Sequence, residues 1–224
     1  MPDPQVMTGL DRLVAEDFAS LRGRRLGLLV HPASVDRRLR HAATLMAADA
    51  NLDLRCLFGP QHGLRGETQD NMVEWESFTD PAAGLPAHSL YGEVRKPTPE
   101  MLGDLDTLVV DLQDVGARYY TFIWTLLLCL EACAEEGKGL VVLDRPNPIG
   151  GAVEGNVLDP GWTSFVGLAP IPMRHGLSIG ELARWFVAHF GLDVDLDVVW
   201  CEGWRRDRHF DRTGLPWVMP SPNM

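Results

Sequence analysis

The sequence is poor in the features that mark several large protein classes. Basic side chains are outnumbered, with 20 Lys and Arg against 31 Asp and Glu, for a formal net charge of −11 over 224 residues. A surface of that sign repels phosphate backbones and anionic bilayers, which argues against nucleic acid or membrane as a partner. Long apolar runs are missing too. The stretch Phe122–Leu130 is too short to span a bilayer and runs into the polar Glu131, Glu135 and Glu136. Met1 to Leu10 has neither a basic start nor an apolar core and is interrupted by Pro2, Asp3 and Pro4, so no secretory signal is legible and the chain as written is expected in the cytoplasm. Only four cysteines occur: Cys129 and Cys133 fall one helical turn apart in an apolar run, whereas Cys56 and Cys201 stand alone. The second close pair that a zinc knot requires is absent, and all four are expected as buried free thiols. Phosphate-cradling glycines are lacking as well. No glycine follows the first expected strand, and no G-x-x-x-x-G-K-[ST] occurs, so neither NAD nor ATP is indicated and no cofactor is expected.

What remains is ordinary globular composition, 46% hydrophobic and 23% charged, without repeats or low-complexity tracts. Short β-branched or leucine-rich runs bounded by turn residues predict buried parallel strands at Arg25–Val30, Leu54–Phe58, Thr107–Asp111 and Leu140–Asp144, with a weaker fifth at Val194–Trp200. Helical patterns lie between them at Arg37–Ala48, Pro99–Leu102, Tyr119–Glu136 and Ile179–Phe190, the last opened by a capping box of Ser178 and Glu181. Alternation of strand and helix predicts an α/β fold with a Rossmann-like, doubly wound and mainly parallel sheet. The polar stretches Gly59–Glu93 and Arg145–Met173 are expected as long loops, which in a compact domain are usually functional.

In such a sheet the ligand crevice lies beyond the carboxyl ends of the strands. Every expected strand ends in polar residues there: His31, Ser34 and Asp36 after the first, Gln61, His62 and Arg65 after the second, Asp111, Gln113 and Asp114 after the third, and Asp144, Arg145 and Asn147 after the fourth. With His175 from the later loop they converge on one rim. Tyr119, Tyr120, Trp75 and Trp124 supply aromatic faces, and amides, carboxylates and rings together suit a polyhydroxylated ligand, a sugar. A divalent metal held by His31, His62, His175, Asp111, Asp114 and Asp144 is the chemical alternative, but no ligand signature supports it and no metal is expected. Plainer roles compete: Asp144 and Arg145 as a local ion pair, His175 as the brace of the Gly176 turn, and Asp36 as a helix cap, the reading preferred for that residue. Glu74 and Glu76, flanking Trp75, read as a solvated loop.

These segments resemble the NamZ family of exo-β-N-acetylmuramidases from about Thr8 onward. The markers are Leu57-Phe58-Gly59-Pro60-Gln61-His62-Gly63-Leu64-Arg65-Gly66, Ser89-Leu90-Tyr91-Gly92 with Arg95-Lys96-Pro97-Thr98-Pro99, and Asp111 to Thr121. Further on come Leu143 to Pro148, Arg174-His175-Gly176 with Gly180 to Ala183, and Pro220-Ser221-Pro222-Asn223-Met224. The resemblance implies a hydrolase releasing terminal N-acetylmuramic acid from the non-reducing end of peptidoglycan fragments, so muramyl sugars are the expected partners. It also implies a Rossmann-like catalytic domain, here 1–200, with 201–224 opening a connection to a smaller C-terminal domain and the active site between the two. Many relatives are exported, against the cytoplasmic expectation.

Where family members usually carry the favoured catalytic Glu, this chain has Gln61. Gln61, His62 and Asp114 are taken as the catalytic positions, His62 and Asp114 orienting substrate, and Glu67, Asp111, Asp114 and Asp144 are the remaining acid or base candidates. His31, Ser34, Arg65, Asp111, Gln113, Tyr120, Asp144, Asn147 and His175 are expected to bind substrate, Arg65 as partner of the lactyl carboxylate. A catalytically impaired muropeptide-binding protein and a metal-dependent hydrolase of another polar substrate stay open as alternatives.

Overall fold

Apolar residues on both faces of the strands require cover on both sides, and the chain supplies it with helices. The computed structural model describes residues 5–66, 68 and 73–222. Six strands run parallel: β1 (Arg25–Val30), β2 (Asp53–Gly59), β4 (Leu85–Ser89), β5 (Thr107–Asp111), β6 (Gly139–Leu143) and β9 (Leu196–Val199). A seventh, β3 (Phe78–Asp80), joins the edge antiparallel to β4, giving the order β3-β4-β2-β1-β5-β6-β9. β7 (Glu154–Val157) and β8 (Pro172–Arg174) form a separate antiparallel pair. On one face Leu29, Leu108, Val110, Leu140 and Val142 pack against α4 (Phe122–Glu135) and α5 (Ile179–Phe190), with Trp124 and Phe186 fully buried between them. On the other, Leu26, Leu28, Val30, Val109, Val141 and Leu143 meet α1 (Gly9–Ala15) and α2 (Ala42–Ala47) through Leu10, Leu13 and Met46.

The doubly wound α/β architecture is as expected, and so are β1, β5, α3 (Pro99–Leu102) and α5 to the residue. The helix expected over Arg37–Ala48 begins only at Ala42, for a local reason. Asp36 Oδ1 accepts the amides of Arg38 and Arg40, each at 2.9 Å, and Leu39 turns left-handed at φ 61°. Asp36 thus clamps a loop, and His41 is the helix cap, its Nδ1 taking Ala43 N. β3 and β4 emerge inside the expected Gly59–Glu93 loop. α1 is also an addition, opened by a capping box of Thr8 and Asp11. All four cysteines are free thiols, with Cys201 only half-buried.

The carboxyl edge is held by a charge pair. Asp111, at the end of β5, is fully buried, and Arg145, just past β6, closes on it with Nε–Oδ1 at 2.5 Å and a second guanidinium nitrogen to Oδ2 at 2.8 Å. A third bond from Arg145 reaches Val35 O in the loop after β1 at 3.0 Å, so three adjacent strand ends share one knot. Burial works against the Arg145 charge, but Asp111 outweighs it and holds the guanidinium pKa above its usual value.

Two stability measurements check this account. A Cβ on Gly9 would press on Val199 O, on Asp144 N at 2.6 Å and on Leu143 C at 2.8 Å, all backbone, so Gly9→Ala should destabilise the chain by roughly 1–3 kcal/mol in urea unfolding. Arg145→Met strands a buried carboxylate and should cost about 3–5 kcal/mol, whereas Arg145→Met with Asp111→Leu should recover most of that loss. A loss in the double variant equal to the sum of the losses in Arg145→Met and Asp111→Leu alone would show that the pair is not coupled.

Candidate active site

Just beyond the strand ends lies a layer of polar side chains that bond mainly to one another. His31 is fully buried, and two amides face its ring, Ala33 N at Nδ1 (3.0 Å) and Gln113 N at Nε2 (2.8 Å). A neutral imidazole offers only one lone-pair nitrogen, so the shorter contact is the hydrogen bond that clips β1 to β5. Burial, aided by the Arg145 charge, holds His31 well below the usual imidazole range. Ser34 donates to Asp111 O and accepts from His31 N. Gln113 Nε2 donates to Asp114 O and Pro146 O. Asp114 Oδ2 accepts from Gly116 N at 2.8 Å and His175 Nε2 at 3.0 Å, while its Oδ1 is buried without a hydrogen bond. His175 Nδ1 in turn takes Leu177 N, so both its nitrogens are committed. Asn147 bridges Ile149 N and Leu177 O, and its Oδ1 lies where a Cβ on Gly116 would sit, which is why a glycine at φ 83° turns that loop. Asp144 accepts from Gly180 N at the start of α5 and from Cys201 N, and burial pushes its carboxyl pKa up against those bonds. It is not the ion-pair partner of Arg145; Asp111 is.

In a doubly wound sheet the crevice is expected where the strand order reverses, here between β1 and β5. That position is occupied by the chain itself. Leu215, Pro216, Trp217 and Val218 fold back over Ala33, Val35, Gln113 and Arg145 and leave 20 Å³, about one water's worth of space. Trp217 and Met219 stay partly exposed on the outside of this strap.

An open cleft lies toward β2 and the start of α4, with a volume of 480 Å³. Gln61 and His62 form one wall, Tyr119, Tyr120, Thr121 and Phe122 another, and Tyr91, Phe165 and Ser221 close it. Of the expected site residues, Gln61, His62 and Tyr120 line this cleft. His31, Ser34, Asp111, Gln113, Asp114, Asp144, Asn147 and His175 lie in the buried layer and support it. Arg65 directs its guanidinium to the buried Asp80, with both contacts at 3.3 Å. Glu67 and the motif residues Asn223 and Met224 lie outside the described residues.

Trp75 and Trp124 are not platforms. Trp124 is core, 5.8 Å from the Phe186 ring, and Trp75 packs inward with its Nε1 on Pro60 O. The exposed ring is Tyr119, at 55%. Tyr91, Thr121, Ser164, Phe165, Val166 and Ser221 were not singled out from the sequence, although Tyr91, Thr121 and Ser221 fall inside the quoted motifs.

His62 carries local strain, its backbone held at φ 71° in the left-handed region. Its Nδ1 faces Thr68 O at 2.9 Å, so the proton sits there and Nε2 keeps the lone pair. Burial lowers its pKa, which favours the neutral base. Gln61 Oε1 accepts from the Thr121 hydroxyl at 2.9 Å. No carboxylate lines this cleft among the described residues. Among them, too, no cluster of three or more His, Cys, Asp or Glu is placed to hold a metal, and no helix is long and apolar enough to cross a membrane.

The chain is 47% identical over 222 residues to the peptidoglycan β-N-acetylmuramidase NamZ of Bacillus subtilis (strain 168), covering 99% of this chain and 53% of that protein. Among solved structures it superposes on a DUF1343 family protein from Bacteroides fragilis with TM-score 0.89 and 43% identity, covering 99% of this chain and 56% of the other. A second DUF1343 protein from the same organism gives TM-score 0.77 and 30% identity, over 92% and 55% of the two chains. The chain therefore spans about half the length of the relatives it matches. The family described as exo-β-N-acetylmuramidase NamZ, N-terminal, matches residues 26–224, and the chain belongs to that family.

Proposed function

We propose that this chain is the Rossmann-like half of a peptidoglycan glycoside hydrolase, and that the whole protein releases terminal N-acetylmuramic acid from the non-reducing end of muropeptides. The observation that carries the reading is the cleft in which the Gln61-His62 turn faces Tyr119, Tyr120 and Thr121. Rings for the apolar faces of a sugar and hydroxyl and amide groups for its polar edge converge there, as sugar recognition requires. The relatives' names point the same way.

A glycosidase ordinarily flanks the scissile bond with two carboxyl groups, one to protonate the leaving oxygen and one to activate water or attack. Position 61 holds an amide, which hydrogen-bonds but does not exchange a proton. His62 Nε2 is the basic atom this wall offers, suited to accept a hydrogen bond from a sugar hydroxyl and orient the ring. The buried layer around Asp114 and His175 keeps the Gly116 turn, and with it Tyr119 to Thr121, in register. Arg65, which is paired with Asp80 and is not among the residues lining the cleft, is proposed to meet the lactyl carboxylate only by exchanging Asp80 for that anion.

A second reading, muropeptide binding without turnover, is favoured by one feature, the absence of a carboxylate among the described cleft residues. The two separate on a single substitution. In this chain joined to the C-terminal half of the Bacillus subtilis relative, Gln61→Glu should raise kcat on a chromogenic muramoside by about 10²- to 10⁴-fold with little change in KM, since proton transfer is felt in the transition state. If the Gln61 form already turns over as fast, the working carboxylate lies elsewhere. Failure of both forms to bind or cleave muramosides would remove the muramidase reading altogether.

A further inference from the structure

A threonine or serine just ahead of a helix usually spends its side-chain oxygen on the amides of the first turn. Three helices here follow that habit: Thr8 takes Asp11 N at α1, Thr98 takes Met101 N at α3, and Ser178 takes Glu181 N at α5. Thr121, ahead of α4, does not. Its backbone is already helical, at φ −79° and ψ −13°, and its side chain makes no cap. The hydroxyl points into the cleft and donates to Gln61 Oε1 at 2.9 Å.

That bond decides which end of the amide is left for a ligand. A primary amide has an acceptor end and a donor end, and with Oε1 engaged by Thr121 the N–H groups of Nε2 remain, with no hydrogen bond to the described residues, on a side chain that lines the cleft. We propose that Thr121 is the positioning residue for side chain 61, fixing the Gln61 amide so that it presents hydrogen-bond donors to an acceptor oxygen of the bound sugar, a hydroxyl or the acetamido carbonyl. The inference rests on the sugar-cleft reading above and gives Gln61 a task in ligand recognition that needs no proton transfer. Without the bond the glutamine keeps its rotamer freedom, and ordering it then weighs against binding. The same hydroxyl sets the behaviour of a carboxyl group at that position, because donation to a carboxylate favours the ionised form.

Two measurements on this chain test the assignment. The first is binding of N-acetylmuramic acid, followed by nuclear magnetic resonance, for the unaltered chain, Thr121→Val and Thr121→Ser. Loss of one neutral hydrogen bond should weaken binding by roughly two- to tenfold in Thr121→Val, while Thr121→Ser stays within about twofold of the unaltered chain. The melting temperature should hardly move, since no helix cap is lost. The second is titration of a ¹³C-labelled carboxyl at position 61 in Gln61→Glu, with and without Thr121→Val. The carboxyl should titrate roughly half a unit to one unit lower when the threonine is present. Thr121→Ala replaces the valine variant should that one not fold.

Coincident titrations with equal affinities would overturn the proposal. So would a loss of affinity that tracks a loss of melting temperature and that serine does not rescue, since that pattern marks a merely structural threonine. If the unaltered chain binds no sugar, the cleft reading fails, and the titration still decides the role of Thr121.

Discussion

Six parallel strands end on one edge, and every peptide group there that loses contact with water needs a partner. The buried Asp111–Arg145 pair is the centre of that accounting. It costs desolvation of two charges, which a bidentate geometry and further hydrogen bonds must offset. They do so here: Arg145 adds Val35 O, and Ser34 holds Asp111 O, so the pair joins the loops after β1, β5 and β6. Around it, His31 clips β1 to β5, and Asp144 anchors α5 and the chain after β9, while its carbonyl accepts Gly9 N from α1. The segment that carries Tyr119 to Thr121 is attached to this layer through Asp114, which holds Gly116 N and His175.

The position of the cleft follows from the same layer. With the switch point between β1 and β5 closed by polar clips and by the strap at Leu215–Val218, the usual site for a nucleotide is filled. The free surface begins one strand over, where β2 ends in a glycine-flanked turn that holds His62 left-handed, and where α4 starts without a side-chain cap. Both are local departures from the lowest-energy backbone or capping choice, and both residues line the cleft while bonding to loop atoms outside their own turn, Thr68 O for His62 and Gln61 Oε1 for Thr121. A hydrogen-bonded buried layer beneath a strained turn keeps donor and acceptor directions defined when a ligand arrives.

The fold was legible because its signals are local and periodic. Apolar runs of β-branched residues between turn signals marked the strands, and Ser178 with Glu181 marked the start of α5, since capping and strand burial depend on residues a few positions apart. The edge on which the polar residues gather was legible too, because parallel strands all end on one side. Motifs around Gln61 and Asp111 to Thr121 were enough to indicate the family.

What the sequence could not divide was that polar edge itself. Asp111, Asp144, Asn147 and His175 carry the same chemical labels as Gln61, His62 and Tyr120, yet the last three line the cleft and the first four do not, and burial does not separate them, since His62 is as buried as His175. Composition determined that the chain is acidic, and local patterning along the chain determined an α/β protein with a polar rim. Tertiary structure alone decided which rim residues line the cleft, that Trp75 and Trp124 belong to the core, and that Thr121 meets Gln61 across 60 positions of chain. The physical reason is that a side chain's hydrogen-bond partners are set by loops packing from distant strands, and no local periodicity records that packing.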